Sequence, residues 1–150
     1  MSRYLLDVNV LLALVWPRHV GYSTAHVWFA KTGHKAWATN PLTQLGVLRL
    51  LTNPAITQGV VSPRSAWDAV HEATRHPGHE FWPMKSEPAI SMKDIAGRLH
   101  GHQQWADASL LVHAIEHGGV LVTFDAGIAA FAKHEAQGQV VLLKQSEATR

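Results

Sequence analysis

Short apolar segments alternate with longer segments of helical periodicity along the whole chain. Residues 3–7 form an apolar run without alternation, which predicts a buried strand ending at Asp7. Residues 120–124 repeat this pattern, and Asp125 follows them. Shorter segments of the same kind lie at residues 36–39, 81–82 and 140–143. The pattern therefore predicts two definite strands and three shorter ones.

Helical segments separate these predicted strands. Their apolar residues recur at three- and four-residue intervals, and capping residues, Pro or Gly mark their ends. The predicted helices span residues 9–16, 19–31, 41–52, 63–75, 92–100, 104–117 and 127–133. Strands that alternate with helices imply a sheet covered on both faces. The predicted fold class is α/β, a three-layer α/β/α domain with a mostly parallel central sheet of about four to five strands.

Composition restricts the class of protein further. The chain has 150 residues, 47% of them hydrophobic, which suits a single domain spanning residues 1–150. A formal net charge of +2 is compatible with a nucleic-acid partner. The absence of Cys excludes disulfides and thiolate metal sites. With no signal peptide pattern and no run of about 18 apolar residues, we expect a cytoplasmic protein that does not enter a membrane.

Two aspartates follow the two definite strands. If these strands are neighbours in a parallel sheet, Asp7 and Asp125 lie at the same edge, about 5 Å apart laterally. Carboxylates at that spacing resist simultaneous ionisation unless a cation lies between them. Asp107 is a third acid, in the first turn of a predicted helix and on its apolar face.

Each aspartate also has a purely structural interpretation. Asp7 and Asp125 could cap the helices that follow them, and Asp107 could stabilise its own helix. For each residue alone, the structural and functional interpretations carry equal weight. Convergence of all three on one region favours a divalent cation with oxygen ligands, Mg²⁺ or Mn²⁺.

Polar neighbours accompany the acids. The helical pattern places Gln44 on a buried face, where its amide needs hydrogen bonds. It could hold a metal-bound water or a carboxylate, or satisfy backbone groups, and the pattern does not distinguish these roles. Thr123, two residues before Asp125, could place its hydroxyl beside the site or serve only as a strand residue. Asn9 suits the turn after the first strand and could orient groups around the cation.

The acidic motifs resemble those of PIN-domain ribonucleases, and most closely the VapC toxins of type II toxin–antitoxin systems. They are Leu5-Leu6-Asp7-Val8-Asn9, Ala106-Asp107-Ala108 and Leu121-Val122-Thr123-Phe124-Asp125. The segments that begin at Pro41 and His76 resemble one VapC subgroup, so the likeness spans nearly the whole chain. Most PIN nucleases have a glutamate where this chain has Gln44.

The resemblance implies a PIN-like fold and a Mg²⁺- or Mn²⁺-dependent endoribonuclease acting on structured RNA. Asp7, Asp107 and Asp125 match the metal-binding acids of the family. A VapB-type antitoxin would neutralise the enzyme, and homodimers are usual among similar proteins. Gln44 removes one charge from the site and leaves open whether one or two ions bind.

RNA binding requires basic residues near the site, and Arg49 and Arg18 are the candidates, although for either one alone a solvated surface charge is the better interpretation. The rival interpretation is a weakened PIN module that binds RNA or a protein without cleavage. Haloacid dehalogenase-type enzymes and receiver domains share the first aspartate, but the lysine that both need is not found here.

Overall fold

The computed structural model describes residues 1–132 and 139–145, which form a sheet with helices on both faces. The strands are β1 (Tyr4–Leu6), β2 (Trp37–Thr39), β3 (His79–Phe81), β4 (Val120–Thr123) and β5 (Val140–Leu142). All pair in parallel, in the order β3-β2-β1-β4-β5. This confirms the predicted fold class and the predicted number of strands.

The described helices follow the predicted segments closely, with two exceptions. They are α1 (Val8–Val15), α2 (Tyr22–Lys31), α3 (Pro41–Leu51), α4 (Pro54–Thr57), α5 (Pro63–Thr74), α6 (Pro88–Ser91), α7 (Lys93–Ala96), α8 (Gln104–Glu116) and α9 (Ala126–Ala132). The single helix predicted over 92–100 is wrong: that segment holds only α7, which ends at Ala96 with Gly97 as its C-cap, and α6 lies before it. The short helix α4, capped by the Asn53 side chain, was not predicted. The predicted end of the last helix, residue 133, lies outside the described residues.

Alternating side chains of the central strands divide the core into two layers. Leu6 and Val122 face a cluster that includes apolar residues of α1, α3 and α5. Leu5 and Leu121 face the opposite side, where they meet Leu110 and other residues of α8 and α9. Because both faces are covered, the strands carry continuous apolar runs.

The strand order changes direction at the centre of the sheet. From β1 the chain moves outward through β2 to β3, then returns to the other side of β1 to form β4. In open parallel sheets, ligands bind at the carboxyl ends of the strands beside such a reversal. The topology therefore predicts a ligand-binding site at the loops after β1 and β4. No helix in the part of the chain described here has the length and apolar character that crossing a membrane requires.

A close backbone approach provides a test of the packing at the outer strand. A Cβ atom placed on Gly78 would lie 2.0 Å from the His34 carbonyl oxygen. We expect Gly78→Ala to lower the free energy of unfolding by about 1–3 kcal/mol, because backbone atoms must move to accommodate the methyl group. Chemical denaturation would measure the change.

Gly97→Ala is the matched control. A Cβ atom there meets nothing within 4 Å, and the backbone is already in the right-handed helical region. This substitution should leave stability unchanged or raise it by about 0.4–1 kcal/mol. Equal destabilisation by the two variants would contradict the packing described for Gly78.

Candidate active site

The ends of the two central strands bring two of the predicted acids together. β1 and β4 pair in the register Leu6↔Val122, so Asp7 and Thr123 occupy the next level of the sheet. The backbone N–H of Asp7 donates to the Val122 carbonyl at 2.9 Å and continues the ladder. Asp125 follows two residues after Thr123 at the same edge. The register thus places this site at the strand reversal.

Asp7 is nearly inaccessible and serves two structural functions. It is 5% exposed, and its Oδ1 accepts the N–H of Val8 at 2.7 Å, which caps α1. Its Oδ2 accepts the hydroxyl hydrogen of Thr123 at 2.8 Å. Burial raises the pKa of Asp7, these two hydrogen bonds oppose that rise, and the Asp125 charge adds to it.

Thr123 links the two acids. It is fully buried, and while its hydroxyl donates to Asp7, its Oγ1 accepts the backbone N–H of Asp125 at 3.0 Å. One side chain therefore fixes the carboxylate of Asp7 and the backbone position of Asp125. Its role goes beyond that of a residue with strand propensity.

Asp125 is more exposed and uses one oxygen to shape the following turn. Its Oδ1 accepts the N–H groups of Gly127 at 2.7 Å and Ile128 at 3.3 Å at the start of α9. These bonds are the structural role weighed above for this residue. Oδ2 has no hydrogen-bond partner among residues 1–132 and 139–145, so capping and cation binding are compatible here.

Asp107 approaches the same region from the first turn of α8. It is half-buried, and with Asp125 it lines a small pocket of about 80 Å³. The pKa of Asp107 is raised to about 6, first by burial and then by the charges of Asp7 and Asp125. Burial and like charges outweigh the favourable helix dipole. The structure thus brings the three predicted acids into one electrostatic unit.

The donor set fits a hard cation in its chemistry. Carboxylate oxygens are the preferred ligands of Mg²⁺ and Mn²⁺, and a cation would relieve the repulsion that raises the pKa of Asp7 and Asp107. Among residues 1–132 and 139–145, however, no three His, Asp or Glu side chains already enclose a metal-sized space. The acids share a region without forming a closed cage.

Gln44 lies near this edge, in the first turn of α3, but it is half-buried rather than fully buried. The buried positions of α3 are Thr43, Val47 and Leu51, so Val47 and Leu51 are buried as predicted but Thr43 takes the place expected for Gln44. The Gln44 amide nitrogen donates to the Thr39 hydroxyl at 2.9 Å. The amide therefore binds a side chain of β2, whereas the sequence interpretation considered a metal-bound water, a carboxylate or backbone groups.

The remaining predicted site residues lie on the surface. Asn9 is exposed on α1, Arg18 is exposed in the turn after α1, and Arg49 is exposed in the last turn of α3. Their predicted roles with a cation or with RNA stay predictions.

The sequence identified Asn40 as the cap of α3, but it did not reveal the buried side-chain contacts that Thr39 and Asn40 make at the end of β2. Thr39 and Asn40 are both fully buried, and Thr39 also hydrogen-bonds His79 at 2.8 Å between Oγ1 and Nε2. Asn40 caps α3, and its amide contacts Nδ1 of the buried His113. The available signal was the polar pair at the end of a short apolar strand, which resembles the position of Asp7 after β1.

A larger concave surface lies between α1, α2 and α5. It encloses about 640 Å³, and its lining includes Leu14, Phe29, Trp37, Ala69 and Ala73. We call this surface the helical groove. It is predominantly apolar in lining and is separate from the three acids.

Comparisons with known proteins agree with this architecture. A family model described as the PIN domain matches residues 4–134. Ribonuclease VapC39 of Mycobacterium tuberculosis (strain ATCC 25618 / H37Rv) is 37% identical over 83% of this chain and 90% of its own length. Ribonuclease VapC44 of the same strain is 38% identical over 87% of this chain and 91% of its own length.

A solved structure shares the fold at low sequence identity. It is VapBC2 from Rickettsia felis bound to a DNA fragment from its promoter, with a TM-score of 0.60 and 11% identity. The match covers 94% of this chain and 98% of that chain.

The mutual repulsion of the acids predicts a measurable titration. Without divalent ions, Asp107 should titrate near pH 6, and Asp125→Asn should lower its pKa because one repelling charge is lost. Carboxyl ¹³C NMR would follow this titration. Asp68→Asn is an equal charge change on the exposed side of α5, and it should leave the pKa of Asp107 unchanged because only Asp7 and Asp125 act on that group by charge.

The same shift determines how stability depends on pH. Because the folded pKa of Asp107 exceeds the unfolded value of 3.8, the folded state holds a proton that the unfolded state has released. The contribution of Asp107 to the free energy of unfolding should therefore fall as pH rises from about 4 to about 6. If the pKa of Asp107 is the same in Asp125→Asn as in the wild type, the proposed electrostatic coupling between these two residues is wrong.

Proposed function

The chain belongs to the PIN-domain family, within it to the VapC ribonucleases, and on this basis we propose that it is a metal-dependent endoribonuclease, the toxin of a VapBC-like module. The observation that carries the proposal is the meeting of Asp7, Asp107 and Asp125 at the strand reversal, where burial and then the neighbouring acidic charges raise the pKa of Asp7 and Asp107. Three acids that repel one another in a half-buried position suit a cation better than any other ligand.

Asp7, Asp107 and Asp125 would hold Mg²⁺ or Mn²⁺ through their carboxylate oxygens. When bound, such an ion lowers the pKa of a water molecule and neutralises charge on a phosphodiester. The protein's own contribution is orientation. Thr123 holds the Asp7 carboxylate and the Asp125 backbone, and the N–H groups at the starts of α1 and α9 fix one oxygen of each acid.

The substrate proposed is a structured RNA. Its phosphates would meet Arg49 and Arg18, which are exposed, and Asn9 would orient groups around the ion from its exposed position on α1. Gln44 contributes a neutral amide at the neighbouring strand end, where most PIN nucleases have a glutamate. With an amide at position 44, the site has three carboxylates, which is enough to bind one ion. A titration with Mg²⁺ or Mn²⁺ would count the ions bound.

The rival function is a module that binds RNA or a protein without cutting it. The two functions differ in their response to metal. Cleavage that starts with Mg²⁺ or Mn²⁺ and stops with a chelator supports the nuclease, whereas RNA binding without cleavage at any metal concentration supports the binding module. The retention of all three aspartates favours the nuclease.

Asp7→Asn tests the nuclease directly. The amide retains an oxygen that can accept the Val8 N–H, so the cap of α1 can persist while the charge is lost. We expect metal-dependent RNA cleavage to fall about a hundredfold or more. Asp68→Asn on the exposed face of α5 is the control and should cleave normally. Cleavage by Asp7→Asn at the wild-type rate would refute the assignment.

A VapB-type antitoxin is the proposed protein partner, and the helical groove is its proposed docking surface. The groove lies on α1, α2 and α5, is lined mainly by apolar side chains, and does not include the three acids. We also propose a homodimer, as expected from the family. The tryptophans on the first two helical segments do not contribute to this surface: Trp28 packs against Tyr4, and neither Trp16 nor Trp28 lines the groove.

Filling the groove should separate partner binding from catalysis. Ala69→Arg places a long charged side chain into it, so we expect antitoxin affinity to fall about tenfold or more. Cleavage by the free toxin should persist. Ala130→Arg, exposed on α9 in the opposite layer, is the matched control. Calorimetry with a VapB-type protein from the same operon would measure both, and unchanged affinity of Ala69→Arg would exclude this docking surface.

A further inference from the structure

Three side chains form a hydrogen-bonded row at the carboxyl end of β2. The Gln44 amide nitrogen lies 2.9 Å from the Thr39 hydroxyl oxygen, to which it donates. The same Thr39 oxygen lies 2.8 Å from Nε2 of His79, at the start of β3. Thr39 has no exposed surface, so its hydroxyl depends on these two partners. We call this row the amide relay.

The direction of the relay follows from the chemistry of its members. A hydroxyl has one hydrogen to donate, and an amide nitrogen can only donate. Since Gln44 donates to Thr39, the Thr39 hydrogen is available for His79. His79 can accept it at Nε2 when neutral, with its other hydrogen on Nδ1.

The surroundings of His79 favour this neutral form. The ring packs against Trp37, with centroids 4.7 Å apart, and burial lowers the pKa of His79. The Thr74 backbone hydrogen-bonds the imidazole and, together with the Glu80 charge, opposes that effect, while His76 adds to it. Because Nε2 faces Thr39, Nδ1 is the nitrogen that can donate to the Thr74 carbonyl.

A fixed relay direction also fixes the orientation of the Gln44 amide. With its nitrogen committed to Thr39, its Oε1 points away from Thr39 and has no hydrogen-bond partner among the residues that the structure describes. Leu5 pairs with Ala38, so Thr39 stands beside Leu6, one residue before Asp7. A neutral acceptor is therefore held near the edge where the acids converge.

We propose that His79 and Thr39 are positioning residues, which hold the Gln44 amide with its oxygen free to accept a hydrogen bond from the bound RNA. This role rests on the proposed function, whereas the relay itself does not. Reversal of the relay would turn the Gln44 amide over, because a free Thr39 hydrogen would then be donated to Oε1. The nitrogen of Gln44 would replace its oxygen as the exposed group.

The relay is tested first by NMR of the intact chain, without substrate. At neutral pH, imidazole ¹⁵N shifts should show His79 with hydrogen on Nδ1 and a bare Nε2. The Gln44 side-chain amide should shift and exchange faster in Thr39→Val but remain near its wild-type values in Thr39→Ser. Hydrogen on Nε2 of His79, or equal amide spectra for the two variants, would overturn the relay.

Kinetics test the positioning role. Thr39→Val and His79→Phe keep the side-chain shapes but break the relay, and each should lower kcat/KM for RNA by about tenfold, the loss expected for one hydrogen bond. Thr39→Ser should recover most of that loss. The double variant Thr39→Val/His79→Phe should be no worse than either single variant, because both act through the same amide.

The outcomes separate the relay from the proposed function. If the losses in kcat/KM of the two single variants multiply in the double variant, the two residues act independently and the positioning role is wrong. A wild-type chain that never cleaves RNA would count against the nuclease, while the ¹⁵N spectra would still decide the relay. Thermal unfolding of each variant identifies any loss that comes from misfolding.

Discussion

Repulsion among carboxylates at one edge of the sheet is the constraint on which the site depends. The register of β1 and β4 fixes Asp7, and Asp125 follows on the same side, while α8 brings Asp107 against both. The fold therefore concentrates negative charge in a half-buried place, where burial and then the charges of Asp7 and Asp125 raise the pKa of Asp107 to about 6. Without a ligand, this concentration of charge lowers the stability of the folded state at neutral pH. A cation that binds only the folded state would offset that loss.

Structural and chemical roles share the same atoms in this site. Asp7 caps α1 and Asp125 caps α9, each through one oxygen, so the sequence alternatives of cap and ligand were not exclusive. Thr123 unites them because one hydroxyl can donate and accept at once. This sharing explains how a small domain holds repelling acids in place. Capping bonds and the strand ladder fix each acid on an element that the core already stabilises.

The sequence predicted the parts of the fold that local patterns specify. Buried strands without alternation, Asn and Pro at the start of α3, and Asp7 at a strand end all carry local signals. The region between β3 and α8 was predicted less well, because Met92 and Ile95 suit one helix or two short ones equally. Contacts between distant residues left no local signal. The Thr39–His79 bond joins residues 40 positions apart, so only the pairing of β2 with β3 could reveal it.

The neutral side chain at position 44 is consistent with this electrostatic balance. A fourth carboxylate at this edge would add repulsion to Asp7 and Asp107, whose pKa is already raised by burial and by the charge of Asp125. An amide avoids that repulsion but attracts a cation less strongly. Depending on its orientation, it presents either its oxygen or its nitrogen to its surroundings. A carboxylate needs no such orientation, since its two oxygens are equivalent. The glutamine therefore makes orientation a requirement, and Thr39, itself held by His79, is the group that meets it.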